Sequence, residues 1–309
     1  MIKNMRVRAG IAGIGKMGKI HARILSELNE YEFVGIYDTD FKEASTIAEK
    51  YSVKAYQTLE ELLESVDALI ISTPTSTHKE VAIKAIEMKK HVFVEKPLAA
   101  TSKDALEIYE ESRKQNVTLM VGHVERFNPV IQKLKEILSD KKPLIISITR
   151  VGPFPPRIKD TGIILDLGIH DIDILSFLLE SDPDKVSCLK NSCTGNYEDI
   201  AIISLKYGNC LAHILTNWLT PFKVRKIEVA TETDYFVGNL IDQKLTRYTK
   251  YTVEGSYIAY EIPIRYKEPI KEELLEFYAA IKERREPLVD GRVAIKNIEI
   301  AIKCLSGEN

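Results

Sequence analysis

Over residues 1–121 the chain alternates short apolar runs with amphipathic segments, and few folds accept that order. RVRAGIAG reads as a buried strand, Lys16 to Leu28 as a helix, EFVGIY as a second strand, and another helix follows from Lys42. Thr58 to Glu64 has the form of a short capped helix, with Thr58 as N-cap and Glu61 three residues on. DALIIST, HVFVEK and VTLMVG read as strands, separated by HKEVAIKAIEMKK and SKDALEIYEESRKQ as helices. Strands that are apolar throughout are buried on both faces, so the pattern predicts a parallel sheet with helices on either side. The opening MIKNMRVRAGIAGIG runs from basic to apolar as a secretory leader does. Its glycines, and its direct continuation into further elements, make it the first strand instead.

The second half reads differently. AIISLKY and CLAHILTNW are joined by Gly208-Asn209, a tight hairpin signal. KIEVAT, TDYFVGN and KLTRYTKYT look like further strands, and helices close the chain at Glu272–Arg284 and Ala294–Leu305. This predicts an α/β chain of two domains: residues 1–122 around a doubly wound parallel sheet, and residues 123–309 as an antiparallel or mixed α+β domain. The closing helices fit against either one. Apolar content of 45% suffices for two cores, and a formal net charge of −2, from 43 basic and 45 acidic residues, argues against nucleic acid or a membrane surface as the main partner. The longest apolar runs are too short to span a bilayer. Four cysteines with no CxxC pair argue against a zinc or redox centre and point to a reducing cytoplasm.

The first predicted strand ends in Gly13-Ile14-Gly15-Lys16-Met17-Gly18. A GxGxxG alone is weak, but this one follows a strand, opens a helix, and is followed twenty residues after Gly18 by Asp38 at the end of the second strand. That context is the dinucleotide-binding fingerprint. Gly13 permits the turn, Gly15 lets backbone approach a pyrophosphate, and Gly18 lets helix and strand pack closely. The helix N-terminus supplies amides and dipole to the phosphates. Asp38 would accept from ribose hydroxyls and repel a 2′-phosphate, which favours NAD over NADP; Asp40 reinforces this and Lys42 weakens it slightly.

Two further stretches carry chemistry. Glu95-Lys96-Pro97 lies at the carboxyl end of a predicted parallel strand, where open α/β sheets bind ligands. The plain alternative is a solvated Glu–Lys pair. Residues 161–175, TGIILDLGIHDIDIL, set Asp166, His170, Asp171 and Asp173 in an apolar run. They could bind a metal, abstract a proton or start a helix. In a helix Asp166 and His170, at i and i+4, share a face. A metal site of Asp166, His170 and Asp173 fits by residue type but lacks a further ligand cluster. Asp171 and Asp173 fit structural roles. Thr73, Pro74, Thr75 and His78 follow a strand end and are placed to line a cofactor crevice, although helix capping explains Thr75, Ser76 and Thr77 as well. His123 and Arg126, at the domain junction, suit ligand contact or interdomain bracing equally. His21, His91 and Trp218 read as packing residues, and His213 as a sheet-face residue.

Taken together, the GxGxxG with His21 behind it, Ser72-Thr73-Pro74 with His78, Glu95-Lys96-Pro97, GHVERFNP at 122–129 and Asp166-x-x-x-His170 resemble the glucose–fructose oxidoreductase / inositol dehydrogenase family over essentially the whole chain. The resemblance implies a Rossmann domain followed by a substrate domain on an open, mainly antiparallel sheet. That sheet often serves as an oligomer interface, so a homodimer or homotetramer is expected. It also implies NAD chemistry without a metal, with Glu95, Lys96 and His123 toward the cofactor. Lys96, Asp166 and His170 become the catalytic group: imidazole as a side chain suits His170 to act as a base near neutrality, Lys96 would stabilise a developing alkoxide, and Asp166 would orient substrate or Lys96.

Within that family the forms GHVERFNP and DLGIHDID look most like nucleotide-sugar 3-dehydrogenases acting on UDP-N-acetylglucosamine. Arg150, Arg157 and Lys159 precede the catalytic segment, and arginines there could grip a diphosphate, the plain alternative being solubility or interdomain ion pairs. Arg126, Arg150 and Arg157, with Lys96, Asp166 and His170, are the expected substrate contacts. The rivals are an inositol, free-sugar or dihydrodiol dehydrogenase, a non-catalytic NAD-binding sensor, and a glycosidase that uses bound NAD transiently.

Overall fold

The computed structural model describes residues 6–155, 161–250 and 256–306. The chain divides into two compact units, Met1–His123 with Ile270–Lys296, and Val124–Pro269 with Asn297–Asn309.

The first unit runs β1 (Val7–Ala12), α1 (Lys16–Glu27), β2 (Tyr31–Tyr37), α2 (Phe41–Tyr51), β3 (Lys54–Tyr56), α3 (Leu59–Ser65), β4 (Ala68–Ile71), α4 (His78–Glu87), β5 (His91–Glu95), α5 (Ser102–Gln115) and β6 (Leu119–Gly122). Its six strands pair in the order β3-β2-β1-β4-β5-β6, every pair parallel. The apolar runs of β4 and β5 are buried on both faces. Strand order reverses between β1 and β4, so their carboxyl ends border the crevice where such sheets take ligands. The cap at α3 forms: Glu61 N–H donates to Thr58 Oγ1 at 3.3 Å, and Glu61 Oε2 reaches back one residue beyond the N-cap to accept from Gln57 N–H at 3.2 Å. The three-residue β3 has no counterpart in the sequence reading, being too short to show a period.

The second unit contains α6 (Pro129–Leu138), β7 (Ile145–Pro153), α7 (Ile169–Leu179), β8 (Lys185–Asn191), β9 (Ile200–Tyr207), β10 (Cys210–Asn217), β11 (Leu219–Ala230), β12 (Asp234–Asn239), β13 (Lys244–Lys250) and β14 (Tyr257–Ile262). The eight strands pair in the order β14-β13-β12-β11-β7-β10-β9-β8, antiparallel except for β7 beside β10. The hairpin at Gly208 joins β9 and β10, with Gly208 at φ +57°. One sheet face, through Ile146, Ile148, Ile203, Leu205, Ile214 and Ile227, packs on Val130, Ile131 and Leu134 of α6 and Ile172 and Leu175 of α7. The opposite face exposes Leu189, Ile202 and Leu211.

Two helices close the chain, α8 (Pro269–Glu283) and α9 (Gly291–Ser306). Of the two domains left open to them, α8 takes the first. Phe277 packs on Phe93 of β5 with centroids 5.9 Å apart, and Tyr31 Oη donates to the Leu274 carbonyl at 2.6 Å. Among the described residues, no helix is long and apolar enough to cross a membrane.

Candidate active site and cofactor loop

The three loop glycines have three separate reasons. Gly13 sits at φ +90°, a conformation L side chains rarely adopt, and a Cβ there would lie 2.6 Å from the Thr73 amide nitrogen. A Cβ at Gly18 would overlap the Gly13 carbonyl oxygen and approach its carbon to 3.0 Å, so α1 crosses the loop at a distance that only glycine allows. Gly15 faces open space, with no atom within 4 Å of where a Cβ would stand. It is also the N-cap of α1, which has no side-chain cap. An uncapped helix start behind an open backbone is the cradle a pyrophosphate fills. Gly15 and Lys16 are exposed, Met17 half-buried and Ile14 buried. Ile14 N–H donates to Asp38 Oδ2 at 2.6 Å, and Asp40 N–H to Asp38 Oδ1 at 2.9 Å. Asp38 therefore braces the loop as well as standing where a ribose binds in this fold.

The crevice continues at the ends of β4 and β5. His78 is buried, with Nδ1 2.9 Å from the Pro97 carbonyl oxygen and Nε2 3.0 Å from that of Thr73. It staples the two loops together from behind, and burial lowers its pKa. Thr77 Oγ1 donates to Thr73 Oγ1 at 2.9 Å, tying the Thr73–Pro74–Thr75 turn to the start of α4. Lys96, half-buried, follows β5 directly, and its peptide bond to Pro97 is cis. Glu95, by contrast, is buried, with Oε1 2.7 Å from Nε2 of His21, which also meets Phe93 edge-on. Burial opposes the charge of Glu95, but the His21 hydrogen bond and the charges of His21, Lys96 and His78 prevail and hold its pKa down. Glu273 of α8 closes the cluster: His21, Glu95 and Glu273 each present an atom within 4.8 Å of the others. Glu273 is fully buried and neither of its oxygens finds a hydrogen-bond partner among the described residues. Burial first, then the charge of Glu95, pushes its pKa well above the usual carboxylic range.

In the second unit, Ile164–Gly168 forms a π-helical turn that runs into α7. Such turns are rare and frequent at functional sites. Glu198 holds its start: Ile163 N–H donates to the Glu198 carbonyl at 2.9 Å and Ile164 N–H to its Oε1 at 3.2 Å. Asp166 lies on this turn, 8% exposed, and half-buried His170 follows one turn later in α7.

The arginines differ from expectation. Arg126 does not hold its fork open for a ligand. Nε and Nη2 each donate to Asp173 at 2.8 Å, the guanidinium lies over Phe177, and Asn297 adds a 2.7 Å bond to the same carboxylate. Arg150 is 3% exposed, with Nε donating to Asp171 at 2.7 Å and Nη1 to Glu125 at 2.6 Å. The fork expected on a diphosphate is turned to fully buried Asp171, which needs a counter-ion to stay buried, and to half-buried Glu125. Burial still pushes the Asp171 pKa up to about 6 against the pull of Arg150. Arg157 lies outside the described residues. His123 is buried at the end of the first unit.

Two residues that sequence reasoning passed over stand out, and each carried a signal. Arg225 continues the inward alternation of Ile227 and Val229 along β11, so a cation was due on the core face. Glu273 lies on the same stripe of α8 as buried Phe277 and Ala280.

Residues 7–123 match the model of an oxidoreductase family with an NAD-binding Rossmann fold, and residues 146–237 match the GFO/IDH/MocA C-terminal domain. The chain is 30% identical to a myo-inositol 2-dehydrogenase of Thermotoga maritima, over 94% of this chain and 93% of that protein. It is 26% identical to a UDP-N-acetylglucosamine 3-dehydrogenase of Acidithiobacillus ferrooxidans, over 93% and 92%. The solved structure of a UDP-N-acetylglucosamine 3-dehydrogenase from A. ferrooxidans superposes with a TM-score of 0.91 at 24% identity, covering 98% of each chain, which shows the shared fold. An intact phosphate loop, a lysine at the end of β5 and both family models thus agree: the chain belongs to the GFO/IDH/MocA oxidoreductase family, and its first unit is that family's NAD-binding Rossmann fold.

Proposed function

We propose that the chain oxidises a secondary hydroxyl of a nucleotide sugar, at C3 of a substrate such as UDP-N-acetylglucosamine, with NAD as cofactor. The observation that supports this most is the retention of Lys96, Asp166 and His170 alongside a loop whose open Gly15 and braced Asp38 fit NAD. When bound, NAD supplies the hydride acceptor. The loop amides and Asp38 hold it. Lys96 hydrogen-bonds the substrate hydroxyl oxygen and stabilises its negative character as the C–H bond breaks. His170 takes the hydroxyl proton, and Asp166 orients the reacting group. The exposed Leu189, Ile202 and Leu211 face of the eight-stranded sheet suits a homodimer or homotetramer, which sedimentation would read directly.

A second reading is a cyclitol substrate, favoured by the identity to the inositol-oxidising relative. Absorbance of reduced cofactor decides between them: wild type and Lys96→Ala, with NAD or NADP, against UDP-N-acetylglucosamine, myo-inositol and glucose. NADH formation with the nucleotide sugar alone, abolished in the variant, is the expected result. Turnover of inositol alone would replace the substrate, and undiminished activity in Lys96→Ala would overturn the role of the lysine.

A further inference from the structure

Arg150 on β7 and Arg225 on β11 are direct cross-strand partners, so two cations share one sheet face. Like charges so placed repel, and a pair of this kind persists when anions answer it. Arg150 takes both nearby carboxylates, Glu125 and Asp171. Arg225 receives none. Its Nη1 donates to the backbone carbonyls of Val151 at 2.7 Å and Val224 at 2.8 Å, and among the described residues its Nε and Nη2 make no hydrogen bond. The guanidinium is thereby fixed in orientation while one edge of its fork stays open. Burial, then the charge of Arg150, lowers its pKa to about 10, and Asp171, Glu125 and Asp166 only partly offset this. Its cross-strand partner Arg150 bonds Asp171, the residue after His170, so the open fork belongs to the sheet face that carries the start of α7. The β7–β11 register also slips between Leu219 and Val224, just before Arg225. Bulges of this kind re-aim side chains and gather beside active sites.

We propose that Arg225 anchors a phosphate group of the substrate, its open Nε–Nη2 edge forming a bidentate pair with phosphate oxygens. A planar fork matches two phosphate oxygens in a way neutral hydroxyls do not. The site thus selects phosphorylated sugars over neutral ones, and it supplies the anion contact that Arg150, being closed on carboxylates, does not. This rests on the sugar-oxidation reading for its meaning but not for its test, which is binding.

Calorimetric titration of the full chain would use UDP, inorganic pyrophosphate and glucose 6-phosphate as probes, on wild type, Arg225→Gln and Arg225→Lys. NADH affinity serves as the check that each variant is folded. The expected result is binding of a phosphate-bearing probe to wild type, weakened at least tenfold in Arg225→Gln and less in Arg225→Lys, with NADH binding unchanged. UDP binding above glucose 6-phosphate assigns a nucleoside diphosphate; the reverse assigns a sugar monophosphate. No binding of any probe to wild type, or equal binding to Arg225→Gln, overturns the proposal. If a neutral sugar is turned over while no phosphate binds, the subsite fails and the oxidation reading stands. If Arg225-dependent phosphate binding occurs without turnover of any sugar, the subsite stands and the oxidation reading fails.

Discussion

Gly15 and Gly18, three residues apart in one loop, should fail in opposite ways when replaced by alanine. At Gly18 the added Cβ overlaps the Gly13 carbonyl oxygen and stands 3.0 Å from its carbon, where ordinary contact begins at 3.4 Å. Both sides are backbone, so no side chain can turn away, and α1 must retreat from the loop by roughly an ångström; overpacking of this kind costs about 1–3 kcal/mol. Alanine's better helix propensity returns about 1 kcal/mol, leaving a net loss of up to about 2 kcal/mol. At Gly15 the Cβ meets nothing within 4 Å. Loss of a favourable N-cap glycine and the lower entropy of the unfolded alanine chain act in opposite directions, so stability should stay within about 1 kcal/mol of wild type. The proposed site puts a pyrophosphate in that open space, so Gly15→Ala should lose one or two charge-assisted hydrogen bonds at about 1.5–3 kcal/mol each, or at least about tenfold in affinity. Urea denaturation and NADH fluorescence titration on both variants read the two quantities separately. Wild-type NADH affinity in Gly15→Ala would refute the close approach of backbone to phosphate. Equal destabilisation in the two variants would refute the assignment of open space to one and contact to the other.

Three further outcomes follow from Glu273, Arg150 and Asp38. The raised pKa of Glu273 means the folded state holds its proton where the unfolded chain has lost it, so its stabilising contribution is full below about pH 4.3 and is lost as pH rises toward the folded value, by up to about 1.4 kcal/mol per pH unit. Glu273→Gln should therefore flatten that decline: denaturation midpoints should match wild type near pH 4 and exceed it at pH 8, and parallel curves would disprove a neutral Glu273. Arg150→Met leaves buried Asp171 and half-buried Glu125 without their cation and should cost about 3–5 kcal/mol in urea unfolding, whereas a merely substrate-gripping arginine would leave stability intact. Asp38→Ala removes both the Ile14 amide acceptor and the charge that repels a 2′-phosphate. Its NADH affinity should fall about tenfold while NADPH gains relative to NADH in parallel titrations; an unchanged preference would place selectivity elsewhere.

The first sheet, the phosphate loop and the cap at Thr58 could be read from residue order because the physics behind them is local. Each strand of a doubly wound sheet is apolar along its length, each glycine answers a backbone need within a few residues, and a cap spans one turn. Lys96, Asp166 and His170 stand in short motifs of fixed spacing, which is why the sequence marks them as candidates; their catalytic roles belong to the proposal. The arginines could not be read in this way. Arg126, Arg150 and Arg225 look alike in a sequence, and only the fold sets Asp173 before the first and Glu125 and Asp171 before the second, leaving the third with two backbone carbonyls. The same holds for Glu273, whose raised pKa depends on burial and on Glu95, contributed by β5. Charge is written in the residue type, but the fate of a buried charge depends on which partner arrives from a distant part of the chain, because desolvation and pairing are both set by three-dimensional neighbours.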